Sequence, residues 1–523
     1  QEVSAGQQNM QSSGSSSYNS LVSWLGRLMY NYDNRYYLTA TIRTDGSSRF
    51  PKGSKYATFP SVSGAWRFKG EEFLKDVDWL NNGKLRLGWG QTGNSNIGGY
   101  KWGVAMAPMA TGFGMSYRPT NIANREVKWE TQEQFNLGLD LNFLNDRLNL
   151  VFDLYQKVSK DMLMPLNLPS YMGTQGNGSS RLDAPWGNYG EIENKGLEIT
   201  LNARPVVTKN FDWSTEFQIS FNKNKLKSLA GSTALPGYGQ WTDVVALSTE
   251  GESLYNFYGY EVEGVYSSFE DLISSPVNTL QQNNPYTTNA DGTLSWSTDP
   301  SKYGRTNTTY VGDIKYKDVN HDGKIDEKDK TNIGSPLPKF TFGWNNSFHY
   351  KQWDLNLFIN GSYGNKVGNY TAMKVSHMNS AWTNQVKDVL DHAVLRPIDD
   401  SQADWYNHIE NVVVSNAGTK VPRPTLNDPN DNDAWSSRYI EDGSYIRLKS
   451  ASLSYTLDKK YAKKLYLDNV RITLTGNNLI TITSYSGYDP EIGASTTSSN
   501  VFGLDNGRYP SPMSFSAGIN LTF

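Results

Sequence analysis

Between Asp318 and Asp329 the chain reads Asp-Val-Asn-His-Asp-Gly-Lys-Ile-Asp-Glu-Lys-Asp, a spacing that suits calcium chemistry. A twelve-position Ca²⁺ loop takes oxygen ligands from positions one, three, five, seven, nine and twelve, the seventh through its backbone carbonyl. Those positions are Asp318, Asn320, Asp322, Lys324, Asp326 and Asp329, with Gly323 at the sharp turn. If the loop folds this way its carboxylates converge and repel, and a divalent cation relieves the repulsion. A structural Ca²⁺ is therefore expected as a staple for the longest loop. Asp329 stands where a bidentate Glu is usual, a shorter reach that weakens coordination. The alternative is an Asp/Asn/Gly-rich surface turn with no metal.

Catalytic chemistry finds little support. His321, His349, His377, His392 and His408 are scattered, with no HExxH spacing. Gly88-Trp89-Gly90 falls inside a strand pattern, where it cannot cradle a phosphate. With 52 acidic residues, closeness in sequence does not define a glycosidase pair. No enzyme activity is expected. Trp241, Tyr255, Trp382, Trp405, Tyr406 and Trp435 lie in long loops and could stack on sugar rings or pack a peptide; loop packing or partner contact is the competing role for each. A net charge of −3 argues against a nucleic-acid partner. Cysteine is absent, so neither disulfides nor thiolate metal sites are available.

The elements that must carry these loops are strands. Phe135, Leu137, Leu139, Leu141 and Phe143 alternate with Asn136, Gly138, Asp140 and Asn142. Met513, Phe515, Ala517, Ile519, Leu521 and Phe523 alternate with small polar residues. Period two puts one apolar and one polar face on each strand. Thirteen such runs occur, near 20–32, 35–44, 58–69, 84–90, 131–144, 147–156, 192–204, 211–222, 339–350, 353–361, 444–457, 469–479 and 512–523. Many approach the roughly nine to eleven residues that cross a hydrocarbon layer at a tilt. In 444–457 the apolar phase shifts after Leu448, as a bulge would cause.

Connections tend to alternate in length. Asp33-Asn34, 70–83, Asn145-Asp146, 205–210, Lys351-Gln352 and 458–468 are the shorter set; 45–57, 91–130, 157–191, 223–338, 362–443 and 480–511 are the longer. Short turns at one rim and long loops at the other describe an outer-membrane β-barrel with the long loops outside the cell. The expected fold class is all-β, a transmembrane antiparallel barrel over 21–523, entered through a polar linker at 1–20. Its apolar face, Leu139 and Leu150 included, contacts outer-membrane lipid; Asp140 and Asp153 face the water-filled side. No run of eighteen apolar residues exists, mean hydropathy is −0.60, and Tyr 32, Trp 15 and Phe 20 are plentiful. Bacterial barrels carry an even number of strands, so thirteen implies further strands upstream or on a separate chain.

Several motifs together resemble the SusC/RagA-like TonB-dependent transporters of the Bacteroidetes. They are Tyr36-Tyr37-Leu38-Thr39-Ala40-Thr41-Ile42-Arg43, Asp45-Gly46-Ser47-Ser48-Arg49-Phe50, Phe59-Pro60-Ser61-Val62-Ser63, Gly90-Gln91-Thr92-Gly93-Asn94, Phe257-Tyr258-Gly259-Tyr260, Asp322-Gly323-Lys324-Ile325-Asp326 and Ile333-Gly334-Ser335-Pro336. The resemblance covers essentially the whole chain. It implies a 22-stranded barrel (this chain carrying the last thirteen strands), a lumenal plug, energy from the TonB complex and a SusD-like surface lipoprotein over the outer mouth. It also implies that Phe523 is an assembly signal. No residue here matches the plug or the TonB-contacting box. The function expected is active import of a glycan or oligopeptide. A passive porin and a surface β-rich binding protein are the alternatives.

Overall fold

The computed structural model describes residues 18–166, 168, 170–173, 181–229, 234–240, 243–376, 378, 382–416, 418–493 and 500–523. All thirteen expected runs are strands of one antiparallel sheet in sequential order. They are β1 (Leu21–Tyr32), β2 (Tyr36–Ser47), β3 (Tyr56–Trp66), β4 (Leu80–Asn94), β5 (Glu130–Phe143), β6 (Leu148–Lys160), β7 (Glu191–Val207), β8 (Phe211–Ser228), β9 (Phe340–Tyr350), β10 (Trp353–Tyr363), β11 (Tyr445–Thr456), β12 (Asn469–Thr483) and β13 (Ser514–Thr522). β4 runs past its apolar core at both ends, and β8 runs six residues beyond its apolar run. The extensions of β4 are held by ladder pairing with β5, which periodicity does not register. β3 stops at Trp66 because Phe68–Gly70 turn into a 3₁₀ helix.

Contacts divide the chain into two compact units, Gln1–Leu197 with Asn224–Thr233, and Glu198–Lys223 with Ala234–Phe523. In the first unit the register aligns Tyr30, Leu38, Gly64, Leu87, Leu137 and Leu154 across β1 to β6. The opposite face is polar. There Arg86 reaches both Asp140 (2.8 Å) and Asp153 (2.9 Å). Asp33 and Asn34 both have positive φ, which fits the tight hairpin turn between β1 and β2.

In the second unit Trp213, Phe348, Leu355, Leu453, Leu474 and Ala517 form a continuous apolar row across β8 to β13. Nearer the short turns, Phe211, Tyr350, Trp353 and Tyr455 line up as an aromatic band, with the Trp353 and Tyr455 rings 4.7 Å apart. Such bands mark the membrane–water boundary of outer-membrane barrels. Polar-face neighbours satisfy one another: Ser347 donates to Asn356 (2.6 Å), and the Ser452 and Thr475 hydroxyls lie 3.0 Å apart. The expected bulge is present, since Phe358 pairs with Ser450 and Ile359 with Leu448, leaving Lys449 unmatched.

The long loops of this unit fold into small sheets and short helices around their own dry cores. One core gathers Tyr266, Phe269, Leu272, Trp296, Tyr310, Ile409 and Val412. A second gathers Val245, Phe257, Tyr370, Trp435, Tyr439, Val501 and Leu504, drawing on all three long loops of the unit.

Candidate functional site

The Asp318–Asp329 segment folds as a loop in which each carboxylate is occupied locally. Asp318 accepts the N–H groups of Asp322 (3.3 Å) and Gly323 (2.8 Å), and Gly323 takes the left-handed conformation its position requires. Asn320 accepts from Asp322 N–H, and Asp322 from Lys324 N–H. Asp326 caps the short helix Glu327–Asp329. Asp329, fully buried, returns the bond to Asp326 N–H (2.8 Å) and accepts Val319 N–H (2.9 Å). Lys324 Nζ lies 2.7 Å from Asp326, and this partner holds the Asp326 carboxyl below its ordinary range. The segment keeps the order of a calcium loop and a left-handed Gly323, but no three of its Asp carboxylates gather within 4.8 Å of one another as expected, because each is taken up by backbone N–H groups, and an ammonium lies beside Asp326. Lys324–Ile325 pairs in parallel with Val277–Asn278, which ties the loop into the surrounding body.

Among the loop aromatics, Trp435 has a packing role. It is buried among Phe257, Tyr370 and Tyr439, and its indole N–H donates to Val245 O at 3.0 Å, so no ring face is open to a ligand. Trp405 is half-buried against the first core, at right angles to Tyr406. Tyr406 is partly exposed, with the Arg305 guanidinium 5.1 Å from its ring centre. Tyr255 packs on Phe502. Trp382 is almost fully exposed. Trp241 and His377 lie outside the described residues. Phe523 follows β13 and is exposed.

Three polar groupings were not legible in the sequence because their members are distant along the chain or lack a recognised spacing. Arg447, inside β11 and almost fully buried, donates to Asp489 (2.5 Å) and Glu491 (2.8 Å) of the 484–513 connection. Burial opposes the Asp489 charge, but Arg447 and the N–H groups of Glu491 and Ser511 outweigh it and lower its pKa. Asp313, fully buried, pairs with Arg423 at 2.8 Å and accepts from Asn432 at 3.1 Å, joining the longest and second-longest loops. Asp428, Asp431 and Asp433 bring carboxylate oxygens within 4.8 Å of one another. Burial, with Asp433 adding repulsion, pushes Asp431 up to about 6 and Asp428 up as well.

The family described as TonB dependent receptor-like, beta-barrel matches residues 4–361. TonB-dependent receptor P3 of Formosa agariphila is 35% identical over 534 residues, covering 100% of this chain and 47% of that protein. TonB-dependent receptor SusC of Bacteroides thetaiotaomicron is 28% identical over 97% of this chain and 44% of its own length. The chain thus spans about half the length of the curated relatives it matches. A solved structure of the RagAB peptide transporter superposes with a TM-score of 0.73 at 22% identity, over 97% of this chain and 48% of that one, a likeness of fold.

Proposed function

The chain belongs to the TonB-dependent receptor β-barrel family, in its SusC/RagA branch, whose place is the bacterial outer membrane, and on that premise we propose that the complete protein is an active importer. It takes up an oligosaccharide or oligopeptide, drawing energy from the TonB complex and working with a SusD-like lipoprotein at the outer mouth. One observation carries this reading. The long connections of the second unit are not open loops but a folded body with buried cores. A passive pore needs only loops that leave its mouth open, whereas a body of this kind suits a surface that holds a ligand and a lid. Uptake of labelled glycan and peptide pools by cells carrying the full-length gene, with and without TonB, tests it. Import that continues unchanged without TonB would favour the porin.

The same reading assigns Ca²⁺ to Asp318, Asn320, Asp322, the Lys324 carbonyl, Asp326 and Asp329, as a structural ion. The order of donors and the left-handed Gly323 support it. Binding requires Lys324 Nζ to swing away from Asp326, so affinity should be modest. Calcium titration of the full-length protein, read by protease resistance of 223–338, should show protection that Asp322→Ala removes. Equal resistance with calcium and with chelator would leave an ordinary turn.

A further inference from the structure

β11 and β12 are joined by 458–468, a short connection whose chemistry the import reading does not use. It reads Asp-Lys-Lys-Tyr-Ala-Lys-Lys-Leu-Tyr-Leu-Asp. Lys459, Lys460, Lys463 and Lys464 are all exposed, and none of them joins an ion pair among the described residues. Lys464 instead lies over the Tyr461 ring, 6.0 Å from its centre. Tyr461, Leu465 and Tyr466 are exposed among the lysines, Tyr466 at 93%. Positive charge is not general to the short connections, since 70–83 sets Lys75 against four acidic residues. The turn is tied down: Asp458 accepts Lys460 N–H (2.8 Å) and opens the short helix Lys459–Ala462, and Lys463–Leu465 follow as a 3₁₀ turn. Leu467 N–H donates to Ala462 O (3.1 Å) and Asp468 N–H to Thr522 O (2.8 Å). Tyr466 holds φ at 58°, left-handed backbone that a bulky residue seldom takes. Glycine would close the turn without strain, so an exposed ring at that place points to something the ring meets.

Further along the same two strands, on their lipid-facing side, lies an apolar groove of about 460 Å³. Its floor is Ala451 of β11 and Gly476 of β12, which pair across the ladder. Leu453 and Leu474 wall it toward the turn, Leu479 walls the other side, and Phe515 of β13 closes one end. A bulge makes the far wall. Leu448 pairs with Ile480 and Ser450 with Asn477, leaving 478 and 479 extra, with Asn478 at a φ of 52°. Leu479 is thereby laid against Gly476, where a Cβ would come 2.7 Å from its methyl carbon. The floor lies five residues from the end of β11, roughly 17 Å along the tilted strand. Half a hydrocarbon core is about 15 Å. A lipid with its headgroup at the turn therefore brings the end of its tail to the groove.

We infer that turn and groove together hold one anionic phospholipid of the inner leaflet, its phosphate on the lysines and one acyl chain in the groove. The inference rests on the barrel's place in the outer membrane, where short turns lie at the periplasmic rim, and not on what is imported. Position selects lipid over other parts of the protein. A plug lies on the polar side of the sheet, and further strands extend it from the edge of β13, beyond the floor strands β11 and β12. A second copy presents a convex sheet, which spans such a slot without entering it, whereas a flexible acyl chain fits along it. At the turn, lysines interleaved with tyrosine and leucine are the composition of an interfacial surface, with cations on phosphates and rings at the boundary. Four lysines free of carboxylates favour an anionic headgroup over a zwitterionic one.

Native mass spectrometry of the full-length protein in lipid nanodiscs tests this, with phosphatidylglycerol in phosphatidylethanolamine against phosphatidylethanolamine alone. Retained phosphatidylglycerol is expected on the protein from the mixed discs, and no retained lipid from the others. Changing Lys459, Lys460, Lys463 and Lys464 to Gln should lower retention by roughly tenfold or more, whereas Lys75→Gln leaves it within about twofold. Ala451→Leu fills the groove and should lower retention by about threefold or more. Heat-modifiable gel mobility checks that the barrel is folded in each variant. Retention unchanged by the lysine set or by Ala451→Leu, or equal for both headgroups, overturns the inference. Release by millimolar inorganic phosphate overturns it too, in favour of a plain anion site. Lysines shielded from an amine-reactive label in lipid-free detergent would show that the rest of the protein covers them. Retention confined to dimers would give the groove to a second copy; either result also overturns it.

Discussion

Within the second unit, the loop body and the strands that bear it use the same residue types in opposite ways. In the body, Tyr266, Tyr310, Tyr316 and Phe257 are sealed from solvent, and buried polar groups answer one another, as Asp313 and Arg423 do. On the strands, Leu474 is 56% exposed, and its neighbours in the row, Leu453 and Ala517, are exposed as well. A water-soluble body must supply its own packing partners, because exposed apolar area costs about 25 cal/mol per Å². The strand face needs none, because lipid acyl chains take that role. The difference lies in the solvent each region meets, and it follows that damage to one should leave the other standing.

The largest effect is expected at Trp435, the hub of the second core. Trp435→Ala removes packing worth about 3–5 kcal/mol and strands Val245 O. Limited proteolysis should cut 223–338 and 362–443 while gel mobility shows a folded barrel; loss of the barrel too would join the two regions into one cooperative unit. Next, Arg447→Met leaves the Asp489 carboxylate without its cation, at a cost of about 3–5 kcal/mol for a buried pair. Cleavage confined to 484–513 is the expected readout. On the strand face, Leu474→Arg should cost about 2–4 kcal/mol in a bilayer, measured by reversible unfolding from vesicles. Thr475→Arg, one residue along and on the polar face, loses a hydroxyl contact worth about 1 kcal/mol. Equal penalties would show that the two faces do not meet different solvents.

The smallest effect is a pH dependence confined to the body. Burial raises the Asp431 pKa to about 6, above its ordinary value near 4. Its contribution to stability is complete below pH 4 and declines as pH rises through 6, because the unfolded chain then releases the proton more readily. Protease resistance of the 428–433 turn should fall over that interval, and Asp431→Asn should remove the part of the decline that Asp428, also raised by burial, does not supply. The barrel, tested by gel mobility, should not respond.

The sequence by itself determined the strands. Alternation in Phe135–Phe143 or Met513–Phe523 is a local property: each side chain's face is fixed by parity alone, so thirteen runs, their lipid-facing rows and the bulge after Leu448 could be read without knowing any partner. The order of donors from Asp318 to Asp329 was equally local and could be read without a partner, whereas whether its carboxylates gather depends on how the loop packs. Tertiary structure alone decided the loop body. Trp435 gave no sign of being a hub, because burial depends on Val245, Phe257 and Val501, up to 190 residues away in the case of its Val245 bond. Arg447 looks like any polar-face residue of a strand until Asp489 and Glu491 fold back onto it. A hairpin at 106–119 was hidden for the opposite reason. Its alternation spans only six residues a strand, and whether a face so short is core or surface depends on what the rest of the chain leaves uncovered.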